Sequence, residues 1–223
     1  MNKLVIIRHG ESVWNKENIF TGWLDAPLSE KGIEQAKKSG DILKEEGFSF
    51  DIGFTSVLER GYETLNLILQ EMGISIPVEK SWRLNERHYG ALQGMNKDAM
   101  REKYGKEQVE TWRRSYDVKP PERIEEREFK YKEIKEGEVP WTESLKDTEK
   151  RLMPYWTETI APEIKEGKKV IVSAHGNSIR AIIKNLEGLS GEEIEKVDIP
   201  TGVPLVYELD DNLNPVNKYY LNY

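Results

Sequence analysis

The sequence predicts an α/β fold with a largely parallel sheet, and three observations carry that prediction. Two short apolar, β-branched runs, Leu4-Val5-Ile6-Ile7 and Val170-Ile171-Val172, show no polar alternation, as expected of strands covered on both faces. Amphipathic helical patterns lie between them, so strand and helix signals alternate along the chain. Each run is followed by a histidine–glycine pair, His9-Gly10 and His175-Gly176, at the strand edge where open α/β sheets bind their ligands.

The elements follow in order. After the first strand, Ser29 is placed to cap a helix that runs to about Glu46 and stops at Gly47, with Ile33, Ala36, Gly40 and Leu43 on one face. Phe50 to Phe54 reads as a strand. Residues 57–72 read as a helix carrying Leu58, Tyr62, Leu65, Leu69 and Met72 at helical spacing, ended by Gly73. After the strand at Val170, Ser178 to Leu186 predicts a helix with Ile179, Ile182, Ile183 and Leu186 inward and Gly188 beyond it. Leu205 to Leu209 reads as a late strand. Residues 122–138 hold seven acidic and five basic residues and few apolar ones, the pattern of a solvated surface segment. Without a repeat, a low-complexity tract or a composition break, residues 1–223 are expected to form a single domain, a size common for α/β domains.

Composition narrows the function classes. The chain is 37% hydrophobic and 33% charged, and its mean hydropathy is −0.69. It has no apolar run long enough to span a bilayer, and the first apolar stretch, four residues, is too short for a signal-peptide core. With no cysteine there is no disulfide framework, thiol nucleophile or cysteine metal site, and a cytoplasmic location is expected. A net charge of −7 argues against a nucleic-acid partner. Residues 80–114 nevertheless carry nine Lys/Arg against five Asp/Glu. Such a stretch suits a small anion, or simply a solvated helix face.

The chemistry rests on few residues. Of three histidines, His9, His88 and His175, two occupy the same strand-end context. Glycine after each lets backbone approach a ligand, and a helix N-terminus beyond such a turn offers N–H groups to an anion. Phosphate is therefore the expected ligand. A neutral imidazole attacks phosphorus well, and arginine holds phosphoryl oxygens bidentately while keeping its charge. Arg8, Arg60, Arg113 and Arg114 are candidates. A carboxyl with a raised pKa would serve as proton donor to the alcohol; Glu86 is one among many glutamates. There is no Gly-x-x-x-x-Gly-Lys-Ser/Thr loop, Gly-x-Ser-x-Gly elbow or His-Glu-x-x-His pair, so nucleotide, serine-hydrolase and zinc chemistry are not expected.

Longer motifs add a resemblance. Arg8-His9-Gly10-Glu11-Ser12 resembles the signature of the histidine phosphatase superfamily. Trp14-Asn15-Lys16-Glu17-Asn18, Phe20-Thr21-Gly22-Trp23, Leu84-Asn85-Glu86-Arg87-His88-Tyr89-Gly90-Ala91-Leu92-Gln93-Gly94, Trp112-Arg113-Arg114, Ala174-His175-Gly176-Asn177-Ser178 and Ile199-Pro200-Thr201-Gly202-Val203-Pro204-Leu205 together resemble, across nearly the whole chain, the 2,3-bisphosphoglycerate-dependent phosphoglycerate mutases of that superfamily. The resemblance implies a three-layer sandwich with a mostly parallel central sheet flanked by helices. It also implies interconversion of 3-phosphoglycerate and 2-phosphoglycerate, a 2,3-bisphosphoglycerate primer, no metal and a homodimer. His9 would be the phosphorylated nucleophile and Glu86 the proton donor and acceptor. His175, Arg8 and Arg60 would contact the transferring phosphoryl group. Gly10, Glu11, Ser12, Asn15, Thr21, Gly22, Arg87, His88, Tyr89, Lys97, Arg113, Arg114, Gly176 and Asn177 would complete the substrate site, with Lys97, Arg113 and Arg114 facing the far phosphate and carboxylate.

Three features depart from the family pattern. Glu59, Gly61 and Glu63 change the charge and shape around Arg60, on a helix that often carries subunit contacts; Gly61 alone would cost up to about 1 kcal/mol relative to alanine. The stretch from Pro121 to Trp141 is several residues shorter than usual. The sequence ends at Tyr223, where many members continue into a lysine-rich tail over the site, so more hydrolysis of the phosphohistidine is expected. A phosphatase that uses water as acceptor, and a non-catalytic binder of a phosphorylated ligand, are the alternatives. The Thr21-Gly22 and Arg113-Arg114 pairs favour the mutase.

Overall fold

The computed structural model describes residues 2–124, 134 and 139–221. The chain runs through β1 (Asn2–Arg8), α1 (Val13–Lys16), α2 (Glu30–Glu45), β2 (Ile52–Thr55), α3 (Glu59–Met72), β3 (Val78–Lys80), α4 (Lys97–Tyr104), α5 (Lys106–Arg114), α6 (Leu145–Tyr155), α7 (Ala161–Lys165), β4 (Val170–Ala174), α8 (Gly176–Glu187), α9 (Gly191–Glu195), β5 (Leu205–Leu209) and β6 (Pro215–Tyr220). The strands form a six-stranded sheet in the order β3-β2-β4-β1-β5-β6. The pairings from β3 through β1 are parallel, and those of β5 with β1 and β6 are antiparallel.

Alternation along the central strands makes the three layers. Leu4, Ile6, Val170 and Val172 join Leu145, Leu152, Ile179, Ile182 and Ile183 of α6 and α8 on one face. Val5, Ile7 and Ile171 meet Leu43, Leu65, Ile68 and Leu69 of α2 and α3 on the other. Both faces are covered, which is why these strands carry unbroken apolar runs. A small third cluster, Phe20, Leu92 and Val109 with Tyr89, Met100 and Trp112 packed against it, holds α4 and α5 beside the C-terminal edge of the sheet.

Local signals explain most boundaries. The Ser29 side chain accepts the Gly32 N–H at the start of α2, and Gly47 beyond its end adopts φ +72°. Gly73 and Gly188 close α3 and α8 in left-handed conformations. The strand expected over 50–54 lies at Ile52–Thr55, because Phe50 packs from the preceding loop. The helix expected from Ser178 starts at Gly176, with His175 as its N-cap. Ile33 was expected on the inner face of α2 and is instead exposed at 37%. The face that turns inward carries Gly32, Ala36, Ser39, Gly40 and Leu43. α6 widens at Trp156–Ile160 into a π-helical stretch before α7, between Pro154 and Pro162, neither of which can donate a helical hydrogen bond. Of the charged segment 122–138, most lies outside the described residues.

Glycines set the closest approach of α2 to the site. A Cβ on Gly10 would collide with the Gly32 carbonyl, and a Cβ on Gly32 with the Glu11 carbonyl. Because backbone, not a flexible side chain, stands in the way, Gly32→Ala is expected to lower stability by about 1–3 kcal/mol, the usual range for overpacking. Denaturant unfolding of the variant against the parent checks this.

Candidate active site

The parallel pairing of β1 with β4 places Arg8 opposite Ala174, and the His9 N–H donates to the Ala174 carbonyl at 3.0 Å. The two histidines that follow these strands therefore stand side by side, with ring centroids 5.0 Å apart. His9 is nearly fully buried. Its Nδ1 lies 2.7 Å from the Gly10 carbonyl, which can only accept, so Nδ1 carries the proton and Nε2 is left with its lone pair. Burial, then the charges of Arg60 and Arg8, hold its pKa well below the usual imidazole range. Thr64 steadies the turn, accepting the Gly10 N–H and donating to the Arg60 carbonyl.

His175 is fully buried. Its Nε2 is 2.7 Å from Ser56 Oγ. Burial first, then Arg60 and His9, push its pKa down as well. Gly61 makes this pair possible: a Cβ there would lie 2.6 Å from Ser56 Oγ and 3.3 Å from His175 Nε2. What reads in the sequence as a flaw in helix α3 is room for a buried hydrogen bond.

A cavity of about 110 Å³ opens beside His9 and is lined by Arg8, Asn15, Thr21, Gly22, Arg60, Glu86, Tyr89, Lys97, Arg113, Arg114, Gly176 and Asn177. These are thirteen of the expected site residues, with His9 counted. Arg60 is buried from α3 and donates to the Leu24 and Gly22 carbonyls at 3.1 and 2.7 Å. Arg8 donates through Nη1 to the Ile199 carbonyl at 2.8 Å. Residues 18–20 and 94–97 run side by side, with Phe20 N–H to the Met95 carbonyl and Lys97 N–H to the Asn18 carbonyl. This pairing brings Thr21 and Gly22 next to Lys97. Burial, followed by Arg113 and Arg8, lowers the Lys97 pKa to about 8. Arg113 is paired with Glu110, and Arg114 with Asp198.

Glu86 differs from expectation. Burial alone would raise its pKa, but hydrogen bonds from the Arg87 N–H and Asn177, and the charges of Arg8 and Arg60, outweigh burial and lower it. Its Oε1 accepts the Arg87 N–H at 2.9 Å and the Asn177 N–H, in the first turn of α8, at 3.0 Å. The carboxyl is therefore ionised in the free protein, not held protonated.

Five expected residues, and His175 with them, lie outside the cavity wall. Gly10 forms the turn already described. Glu11 accepts from Ser29 Oγ and pairs with Lys31. Ser12 caps α1 in a reciprocal pair with Asn15. Arg87 is buried behind the wall, donating to the Trp112 and Ser115 carbonyls, with its guanidinium 4.8 Å from the Tyr89 ring centroid. His88 donates its backbone N–H to Glu143 and accepts the Gly90 N–H on Nδ1. Conversely, Ile19, Phe20, Arg180, Asp198 and Ile199 line the cavity although nothing in the sequence reading selected them as site residues. Arg180 follows Asn177 by three and Gly176 by four, the spacing that shares a helix face, and this signal could have found it. Glu59 and Glu63 do not line the cavity.

Among the described residues, Arg8 Nε, Thr21 Oγ1 and His175 Nδ1 are buried without a hydrogen-bond partner, and no group of three or more His, Asp or Glu is placed to hold a metal ion. Unpaired donors beside an arginine-lined cavity suit an anionic, oxygen-rich ligand.

Comparisons with known proteins agree with this chemistry. Residues 4–221 match the family model of the histidine phosphatase superfamily (branch 1). The chain is 58% identical over 229 aligned residues to 2,3-bisphosphoglycerate-dependent phosphoglycerate mutases from two strains of Borreliella burgdorferi, covering 99% of this chain and 92% of theirs. Among solved structures, Bacillus stearothermophilus YhfR superposes with a TM-score of 0.74 at 22% identity, over 94% of this chain and 92% of that one. A mycobacterial glucosyl-3-phosphoglycerate phosphatase gives 0.71 at 24%, over 93% of each. At such identities the two structures speak for the fold.

Three buried neutral histidines make stability depend on pH. For His88, burial, then Arg123 and Arg151, lowers the pKa to about 3. Below about pH 6.5 the unfolded chain takes up a proton on this ring and the folded chain does not, so stability falls as the pH falls through that window. Each such ring contributes a slope of about 1.4 kcal/mol per pH unit. His88→Gln is expected to remove one such share from the pH dependence of the unfolding free energy between pH 6 and about 4, measured by denaturant titration.

Proposed function

The chain belongs to the histidine phosphatase superfamily, and from that premise we propose that it interconverts 3-phosphoglycerate and 2-phosphoglycerate through a phosphohistidine at His9, primed by 2,3-bisphosphoglycerate. The observation that carries this reading is a neutral, buried nucleophile beside two sets of cations from different parts of the fold. Arg8 and Arg60 stand with His9, and Lys97, Arg113 and Arg114 arrive from α4 and α5. Two sets fit a ligand with two anionic groups. The near full-length relatives named as such mutases support the same substrate.

The chemistry follows from the groups present. His9 Nε2 attacks phosphorus as the bond from phosphorus to the ester oxygen breaks, and the proton stays on Nδ1, donated to the Gly10 carbonyl, as the ring becomes a phosphoramidate. Arg8, Arg60 and the unpaired His175 Nδ1, as an N–H, would meet the charge on the equatorial oxygens. Bound 2,3-bisphosphoglycerate supplies the phosphoryl group that charges His9; the same arginines, Thr21 and Asn15 would hold it, with Lys97, Arg113 and Arg114 on its other anionic groups. Arg114 would exchange Asp198 for that ligand. Glu86 takes the proton from the attacking hydroxyl and returns it to the departing one. Its ionised state in the free protein is the starting state for accepting a proton. An arriving phosphoryl dianion offsets Arg8 and Arg60, and burial then raises the Glu86 pKa toward the donor role. No step calls on a metal. No helix among the described residues is long and apolar enough to cross a membrane; a cytoplasmic, single-domain enzyme that pairs as a homodimer completes the reading.

Incubation with 3-phosphoglycerate in EDTA, with and without a trace of 2,3-bisphosphoglycerate, tests it. Rapid 2-phosphoglycerate formation that depends on the primer is expected, and His9→Gln should lower the rate by at least about 10⁴-fold and abolish the phosphoenzyme. Free phosphate with no 2-phosphoglycerate would make the chain a phosphatase.

A further inference from the structure

Behind Glu86 lies a buried ion pair that the mechanism has not used. Arg151 on α6 and Glu143, just ahead of that helix, have side chains only 9% and 3% exposed. Arg151 Nε donates to Glu143 Oε1 at 2.6 Å, and Nη2 to Oε2 at 3.1 Å. The rest of the guanidinium is spent on one short segment. Nη1 donates to the Arg83 and Trp82 carbonyls at 2.7 and 3.4 Å. Nη2 donates to the Asn85 and Glu86 carbonyls, both at 2.9 Å. Glu143 takes the other end: its Oε2 accepts the His88 N–H at 2.8 Å, and its own N–H donates to the His88 carbonyl at 2.8 Å. Trp23 adds Nε1–H to the Glu86 carbonyl at 2.6 Å, and the Arg151 guanidinium lies 5.3 Å from the Trp23 ring centroid.

Apart from the two bonds within the pair, every one of these bonds reaches the segment that carries Glu86, and neither Arg151 nor Glu143 lines the cavity. Beyond a single 3-10 turn over Trp82–Leu84, whose Trp82 carbonyl accepts the Asn85 N–H, the segment has no regular backbone pairing, so its remaining carbonyls need donors from elsewhere. A planar fork of five N–H groups serves several diverging carbonyls at once; a lysine ammonium on a flexible stem does not. Stability alone gives little reason for a buried ion pair, since apolar replacements are often as stable. Geometry gives a better one, because a displacement of about 1 Å at a reacting group costs on the order of 10²-fold in rate.

We propose that the Arg151–Glu143 pair is a positioning device that sets the Glu86 carboxyl for proton transfer to and from the substrate oxygen. This rests on Glu86 as the proton carrier, so the test separates the two ideas. His9 phosphorylation is timed in single turnovers with two donors: 2,3-bisphosphoglycerate, whose alkoxide must be protonated as it leaves, and p-nitrophenyl phosphate, whose leaving oxygen needs no proton. Glu86→Gln is the reference, expected to slow the first by about 10²-fold or more and the second by less than about threefold. Arg151→Lys and the isosteric Glu143→Gln should show the same selectivity, with about 10- to 100-fold on the first donor and less than about threefold on the second. If Glu86→Gln slows both donors alike, Glu86 is not the proton carrier. If Glu86→Gln discriminates while the Arg151 and Glu143 variants slow both donors alike, or neither, the pair is structural only and the proposal is overturned. Glu143→Gln keeps the shape and acceptor oxygen of the original, so a folding failure of the lysine variant leaves the test standing.

Discussion

The parallel register between β1 and β4 is the constraint on which the site depends. It fixes Arg8 against Ala174 and thereby sets two imidazoles 5.0 Å apart at one sheet edge. Everything else is arranged around that pair. The turn after β1 supplies the carbonyl that selects the His9 tautomer. The turn after β2 supplies Ser56 to His175, and α3 supplies Arg60 while thinning to glycine at residue 61. A slip of one residue in this register would turn every core side chain of β1 to the wrong layer, so the packing that stabilises the sheet also guards the placement of His9.

The electrostatics follow from the same crowding. Burial first, then Arg60 and Arg8 beside the cavity, makes protonation of His9 and His175 unfavourable. Hydrogen bonds from Arg87 and Asn177, with the charges of Arg8 and Arg60, lower the Glu86 pKa despite its burial. Under the proposed function the same positive charges act on the imidazole that attacks and on the carboxylate that accepts a proton, and an entering phosphoryl dianion would relax both effects together. A net charge of −7 for the chain coexists with a cavity lined by six cations, Arg8, Arg60, Lys97, Arg113, Arg114 and Arg180, against two carboxylates, Glu86 and Asp198.

Much of this was legible from residue order. The unbroken apolar runs revealed β1 and β4 because both faces of those strands are covered, and the flanking histidines marked the sheet edge. Ser29 and Gly47 bracketed α2 correctly, because capping chemistry is local. What was not legible depends on tertiary contact. Ile33 fits the helical stripe, yet Gly32 turns inward because the turn after β1 lies against it. Edge strands β3 and β6 carry Glu79, Lys80, Asn217 and Lys218 and show no apolar run. Asp198 was missed because a single polar residue leaves no periodic trace, and Arg180 because its place on one helix face with Gly176 and Asn177 counts only once those two are known to line the cavity. The ionisation of Glu86 was misjudged because, beyond its neighbour Arg87, the groups that outweigh its burial, Asn177, Arg8 and Arg60, come from distant parts of the chain.

The cluster of Phe20, Leu92 and Val109 stands apart from the two cores that hold the sheet. Lys97, Arg113 and Arg114 ride on the helices it anchors, whereas His9, His175 and Arg60 are built into the sheet and α3. Under the proposed function, the part that would read the outlying groups of a ligand is thus separate from the part that would handle phosphorus. Such a division lets drift or selection remodel ligand preference through one small mini-core, while the reacting centre is inherited intact.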